Sequence, residues 1–321
     1  MNVLVTGASG FVGRGLLHFL AMRDIGGVAT GRIAPTGLPP GWRGAPRTDV
    51  LTAQVDVGGI DTVVHLEAKQ HVPRPSPADE ADFYRVNVDG TEEWLTWAAR
   101  RNVRQFVHLS TIKAVAAAST PQTEAAPLAP NTAYGRSKAA AELAIQRWAA
   151  ENATRQAVIL RPAPVYGPGN EANLAAFVRQ ILAGKPCLIG RGETRKSVVS
   201  RTNLAAAIAF AAEQHGPGCE IFNVSDRETP SLSELAHLIA ELAHAPRPRS
   251  IPGTLALVVA GTGDLYEALT GRSFPLTSAR LRAIRETSVF PSDKLVAAGY
   301  RHPQSTREGL AEMLDWVTKQ G

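Results

Sequence analysis

Cysteine is scarce in this sequence, and the two that occur, Cys187 and Cys219, stand too far apart to form a CxxC pair or a metal-ligand cluster. A metal site is therefore not expected, and both thiols read as buried. Long hydrophobic runs are absent as well. The stretch Leu255 to Ala260 is far short of the roughly 20 residues that a spanning helix needs, so no membrane partner is expected. No basic leader segment precedes the apolar run Val3-Leu4-Val5, which points to the cytoplasm. The net charge of +5 comes mostly from arginine, scattered without the basic runs that track a nucleic-acid backbone. Nucleic acid is excluded as a partner on that ground, and acidic small molecules fit better. Internal repeats and low-complexity tracts are also missing.

What is present is a regular alternation. Short apolar, β-branched runs recur at Val3 to Thr6, Val28 to Thr30, Thr62 to Leu66, Gln105 to Ser110 and Ala157 to Arg161. Helical segments separate them, among them Phe11 to Met22 and Glu80 to Arg101, where Phe83, Val86, Trp94, Leu95 and Trp97 recur at roughly helical spacing. Near-continuous apolar strands between helices predict an α/β fold, a doubly wound parallel sheet of Rossmann type with a smaller C-terminal substrate-binding region. Residues 1–166 read as the dinucleotide-binding domain. Residues 167–321 read mainly as the substrate-binding region, with a helix from Glu171 to Ala183 and a strand near 220–224 returning to the sheet.

The first strand runs straight into Gly7-Ala8-Ser9-Gly10-Phe11-Val12-Gly13 and a helix. Gly7 permits the tight turn, Gly10 lets backbone N–H groups approach a diphosphate, and Gly13 lets helix and strand pack closely. The second strand ends in Thr30-Gly31-Arg32, where a carboxylate would serve the ribose diol of NAD. Glycine in that place, followed by Arg32 as a phosphate clamp or an adenine-stacking residue, favours NADP(H) over NAD(H).

Tyr134 and Lys138 stand four apart at the start of an alanine-rich helix, hence on one face. A phenol is a poor base at neutral pH until a nearby ammonium lowers its pKa. The pair follows the strand ending in Leu109-Ser110-Thr111, whose C-terminal end should open onto the cofactor crevice.

TGASGFVG, His65-Leu66-Glu67-Ala68, Asn87-Val88-Asp89-Gly90-Thr91, Leu109-Ser110-Thr111, Tyr134-Gly135-Arg136-Ser137-Lys138 and Leu160 to Gly169 occur in one order along the chain. This ordered set resembles the extended short-chain dehydrogenase/reductases of the NAD-dependent epimerase/dehydratase family, enzymes of nucleotide sugars. The resemblance implies catalysis by Thr111, Tyr134 and Lys138, with Ser110 a neighbouring hydroxyl toward the substrate. It implies cofactor contacts from Gly7, Gly10, Phe11, Val12 and Gly13, from Arg32, Asp49 and Val50, from Leu66, Glu67 and Ala68, and from Asn87, Tyr134, Lys138 and Val165. Glu67 departs from the small neutral residue usual in its loop, and an acid beside phosphates is expected to point away. Asn173, with one of Arg195 and Lys196, would bind the substrate diphosphate; Arg280, on a helix with Arg282 and Arg285, is a candidate second clamp, the alternative being a solvated face.

The implied partner is a nucleotide-diphosphate sugar, UDP-linked, and the implied assembly a homodimer through Glu80 to Arg101 and the helix after Tyr134. His71-Val72 and Ile112-Lys113 are similar to bacterial reductases of UDP-4-keto-6-deoxy-N-acetylhexosamines. The reading is thus an NAD(P)-dependent oxidoreductase acting at sugar C4, a 4-keto-sugar reductase first and a UDP-sugar 4-epimerase with tightly bound NAD as the alternative. A dinucleotide-sensing regulator ranks lower, because Thr111, Tyr134 and Lys138 are all present. A dehydratase would add an acidic pair beside the catalytic hydroxyl, and Thr111-Ile112-Lys113 has none.

Overall fold

A computed structural model of the chain describes residues 2–320 apart from 71, 73, 74, 117, 119, 172 and 215, and the backbone alone of 173. The elements run β1 (Val3–Thr6), α1 (Phe11–Ala21), β2 (Gly27–Gly31), β3 (Trp42–Pro46), α2 (Arg47–Leu51), β4 (Thr62–His65), α3 (Pro77–Tyr84), α4 (Gly90–Arg100), β5 (Gln105–Leu109) and α5 (Ala133–Ala150). They continue with β6 (Gln156–Pro162), β7 (Val165–Tyr166), α6 (Asn173–Leu182), β8 (Pro186–Ile189), β9 (Val199–Ser200), α7 (Arg201–Glu213) and β10 (Gly218–Val224). After these come α8 (Leu232–Leu242), β11 (Arg249–Ile251), α9 (Gly253–Thr270), α10 (Ser278–Arg285), α11 (Asp293–Ala297) and α12 (Thr306–Thr318).

Seven strands form one parallel sheet in the order β10-β6-β5-β4-β1-β2-β3, with Val3 in register with both Gly27 and Thr62. The inner strands are buried along their length, β1 through Val3-Leu4-Val5 and β6 through Ala157 to Leu160, because helices cover both faces. Val3, Val5 and Val107 pack with Leu16 and Leu20 of α1 and Leu204 of α7 on one side. Leu4, Val63 and Phe106 pack with Trp94, Trp97, Ile145 and Trp148 on the other, so both α4 tryptophans are core. A third cluster joins α6, α8 and α12 through Val178, Leu235, Ile239 and Met313. Chain order reverses between β1 and β4, which opens a crevice at the C-terminal strand ends.

Two expectations need correction. The helix over Glu80 to Arg101 is not a regular one: it starts earlier, under a capping box from Ser76, and α3 runs on into α4 through a π-turn over Arg85–Asp89. That widened turn carries Asn87 inward, where it is fully buried. The two cysteines are half-buried instead of enclosed. Among the described residues, no helix is long and apolar enough to cross a membrane, and no cluster of metal-ligating side chains occurs.

Candidate active site

The glycine turn is shaped by close approach. Gly7 has φ of +64°, and a Cβ there would lie 2.8 Å from the backbone of Leu66 and Glu67. A Cβ on Gly13 would meet the Gly7 carbonyl oxygen at 2.5 Å. Only glycine lets α1 sit down on the turn at these points. The first intrahelical bond runs from Arg14 N to Gly10 O at 2.9 Å, Gly10 contributes no side-chain cap, and the first turn holds no acid. The amides of Phe11, Val12 and Gly13 thus lie at a helix end whose dipole favours an anion. A dinucleotide diphosphate fits this cradle in size and charge.

The loop after β4 closes the other side. Thr6 Oγ1 accepts from the amides of Leu66 and Glu67, both at 3.2 Å. Glu67 turns its carboxylate away from the turn, accepting from Arg47 Nε at 3.2 Å and Trp94 Nε1 at 3.1 Å. Ala68, which follows it, is half-buried. Asn87 fastens this loop to α5: its Oδ1 accepts from Lys69 N at 2.8 Å and its Nδ2 donates to Ser137 Oγ at 2.9 Å. On α2, Val50 is fully buried and its carbonyl accepts from Trp97 Nε1, so only the backbone of Val50 and the half-exposed Asp49 can face a ligand. Arg32 is exposed past β2, at a cavity of ~700 Å³ that Ser9, Arg14 and His18 also line.

The Tyr134/Lys138 helix is placed by a cap and a glycine. Thr132 Oγ1 accepts from Gly135 N at 3.0 Å and starts α5. A Cβ on Gly135 would stand 2.3 Å from Lys113 O, so α5 can press against the turn that carries Thr111. The Thr111 hydroxyl is thereby brought beside the Tyr134 phenol. Burial pushes Tyr134 up to about 12, and Thr111 pulls the other way. Lys138, one turn on, is 1 % exposed; burial brings its ammonium down to about 7, opposed by Glu142.

Beneath this pair lies a polar layer that the sequence reading missed. Lys138 Nζ is 3.0 Å from His108 Nε2, and His108 stacks on His65 with ring centroids 5.4 Å apart. Burial and the Lys138 charge push both imidazoles well below their ordinary value, which keeps them neutral. Glu142 and Arg161 form an enclosed ion pair at 2.7 Å, with side-chain exposures of 0 and 2 %. Ser110 donates to Glu142, so its hydroxyl faces the interior and cannot stand in for Thr111. The available signal was periodicity: Phe106 and His108 share the α5 face of β5, and Glu142 follows Lys138 by four.

The expected substrate clamp does not form. Arg195 donates to Thr229 O at 2.7 Å and pairs with Glu234, while Lys196 donates to Ala283 O and Glu286 O at 2.9 and 2.8 Å. Arg280 folds onto Phe274 O and Ser273. Each cation satisfies backbone carbonyls, Arg195 one in the loop before α8, Lys196 those at the end of α10 and Arg280 one just before its own helix, and the three do not converge. Val165 lies in β7, half-buried, its carbonyl accepting from Asn170. Asn173 opens α6, but its side chain lies outside the described residues, as does His71.

The arrangement can hold a dinucleotide between the α1 N-terminus and α5, and can pass a proton through Tyr134 beside a hydroxyl and an ammonium. The family model described as NAD dependent epimerase/dehydratase matches residues 3–225. An N-acetyl-α-D-glucosaminyl-diphospho-ditrans,octacis-undecaprenol 4-epimerase of Escherichia coli O157:H7 is 26% identical over 98% of this chain and 95% of its own length. A UDP-glucose 4-epimerase of Vibrio cholerae is 28% identical over 97% of this chain and 94% of its own. In structure, the chain superposes on a Thermus thermophilus UDP-glucose 4-epimerase in complex with NAD, with a TM-score of 0.73, 24% identity and 99% of both chains covered. The chain belongs to the NAD-dependent epimerase/dehydratase family of extended short-chain dehydrogenases, and it is an enzyme that works with a nicotinamide dinucleotide.

Proposed function

We propose that this enzyme is a 4-epimerase of a sugar carried on a diphosphate. The observation that carries the reading is the placement of Tyr134 beside Thr111 and one turn from a buried Lys138, at the crevice end of the sheet. Support also comes from the two relatives aligned over nearly the whole chain, both 4-epimerases of sugar diphosphates. The bound nicotinamide supplies the acceptor and donor of hydride at C4. Tyr134 takes the 4-hydroxyl proton as oxidation proceeds and returns it on reduction. Thr111 orients the sugar oxygen toward the phenol. Lys138 lowers the energy of the phenolate by its charge, against the desolvation that raises the Tyr134 pKa. The amides of Phe11, Val12 and Gly13 bind the cofactor diphosphate, and Asn87 keeps the facing loop in place.

A second reading, a 4-keto-sugar reductase using NADPH, is favoured by the cavity beside Arg32. Arg14, His18 and Arg32 line it, no carboxylate does, and Gly31 stands where a ribose-binding acid would be. Such a pocket suits a 2'-phosphate. The test is the dinucleotide released from purified protein, followed by NMR of UDP-glucose and UDP-N-acetylglucosamine incubated with it. Interconversion of 4-epimers with NAD in catalytic amount is expected. Stoichiometric NADPH consumption with a UDP-4-keto-6-deoxy sugar, and no epimer formed, would overturn the epimerase reading and select the reductase.

A further inference from the structure

More than half of the large apolar side chains that are exposed among the described residues lie on one helix, α9: Leu255, Leu257, Val258, Leu265, Tyr266 and Leu269. Val258 is 64 % exposed and Leu269 76 %. The opposite face is small and packed. Ala256, Ala260 and Gly263 are buried against the segment leading into α10, and a Cβ on Gly263 would lie 2.2 Å from Leu276 O. The two acids of α9 turn toward that segment, Asp264 accepting from Ser278 N at 3.1 Å and Glu267 from Phe274 N at 2.7 Å. Around the helix axis, the outward half therefore carries Leu255, Val258, Thr262, Leu265 and Leu269 at spacings of three and four, without a charge among them.

Cations stand at both ends of this face. Arg247 and Arg249 are exposed just before the helix, Arg285 donates to Gly253 O at its first turn, and Arg272 is exposed just after its last. Arg282 on α10 is exposed as well. An apolar face of this breadth is not left in water without a partner. Two copies set face to face would bring the same arginine groups toward one seam, whereas an anionic lipid surface answers both the apolar face and the charge.

We propose that α9 lies flat on an anionic bilayer, with its leucine face in the headgroup boundary and the flanking arginines on lipid phosphates. Spanning length is irrelevant to this mode, which is why the shortness of the apolar run in the sequence does not argue against it. Docking would place the enzyme at the bilayer surface whichever reaction it catalyses, and the observation is independent of the epimerase reading.

The test is co-sedimentation of the full-length chain, without substrate, with vesicles of phosphatidylglycerol and phosphatidylcholine and with vesicles of phosphatidylcholine alone. Binding to the anionic vesicles is expected, weaker by about tenfold on the neutral ones and falling with salt. Leu265→Glu and Leu269→Glu should each lower the bound fraction about tenfold while leaving the circular dichroism melt unchanged, since both side chains are outside the core. Arg272→Glu should lower it too, through charge alone. Failure of the wild type to sediment with anionic vesicles overturns the proposal, as does sedimentation that both leucine variants retain. A dimer in ultracentrifugation that Leu265→Glu dissociates, with no vesicle binding, overturns it in favour of self-association.

Discussion

The α5 layer and the α9–α10 periphery use the same residue types to opposite ends. Beneath the active site, Lys138, Arg161, Glu142, His65 and His108 are all enclosed, and each meets another side chain: Lys138 meets His108, and Arg161 meets Glu142. At the periphery, Arg195, Lys196 and Arg280 are spent on backbone carbonyls, and leucines face outward. Charge taken out of water acts strongly on its neighbours, so the first region can tune chemistry. Charge left near water mostly ties off chain ends.

The comparison is tested most severely at the phenol. Tyr134→Phe should lower turnover by about 10³-fold, in the range general acid/base groups contribute, while the circular dichroism melt and bound dinucleotide stay as in the wild type. Full activity in that variant would break the assignment of proton transfer to this region.

Next in size is the enclosed ion pair. Glu142→Gln leaves Arg161 without its counter-charge at 2 % exposure, and urea unfolding should show a loss of about 3–5 kcal/mol. Glu142→Gln combined with Arg161→Met should recover most of that loss. A single variant no less stable than the double would mean that the pair is not enclosed in solution.

The pH dependence sharpens the role of the histidine layer. His108→Phe removes the acceptor facing the Lys138 ammonium, whose pKa burial has already brought to about 7. Without that acceptor the charged form is disfavoured further. Activity that needs the ammonium is lost as pH rises through this pKa, so the alkaline limb of the kcat/KM profile should move to lower pH. A hydrogen bond to a charged group sets the scale at about one pH unit. Glu142 on α5 and His65 on β4 also face this site and stay in place. An unmoved limb would reduce His108 to packing.

The smallest effect belongs to the periphery. Arg195→Ala should leave the urea midpoint unchanged and substrate KM within about twofold, since its partner Glu234 is exposed. A large rise in KM would restore it as a diphosphate clamp.

Legibility followed the same division. The glycine turn and the Tyr134/Lys138 spacing depend on local geometry, a tight turn and a helical repeat, and local geometry is written in neighbouring residues. Six of the seven sheet strands were legible for a related reason, because burial on both faces favours apolar runs, whereas the edge strand β3, with Arg43 and Gly44 exposed, has no such run. Asn87 could be matched by motif, yet the π-turn that aims it breaks the helical spacing the sequence suggested over 80–101.

By itself, then, the sequence determined the parallel α/β class, the glycine turn that opens α1 and the placing of Tyr134 and Lys138 one turn apart on one helix, because each is signalled by residues close along the chain. Tertiary structure alone decided that Ser110 faces Glu142 while Thr111 faces Tyr134, and that His108 lies under Lys138. It alone showed that the clamp cations are occupied elsewhere and that α9 packs through its alanines and shows its leucines. Those outcomes depend on which elements press together, across separations of 30 residues and more, and no local pattern carries that information.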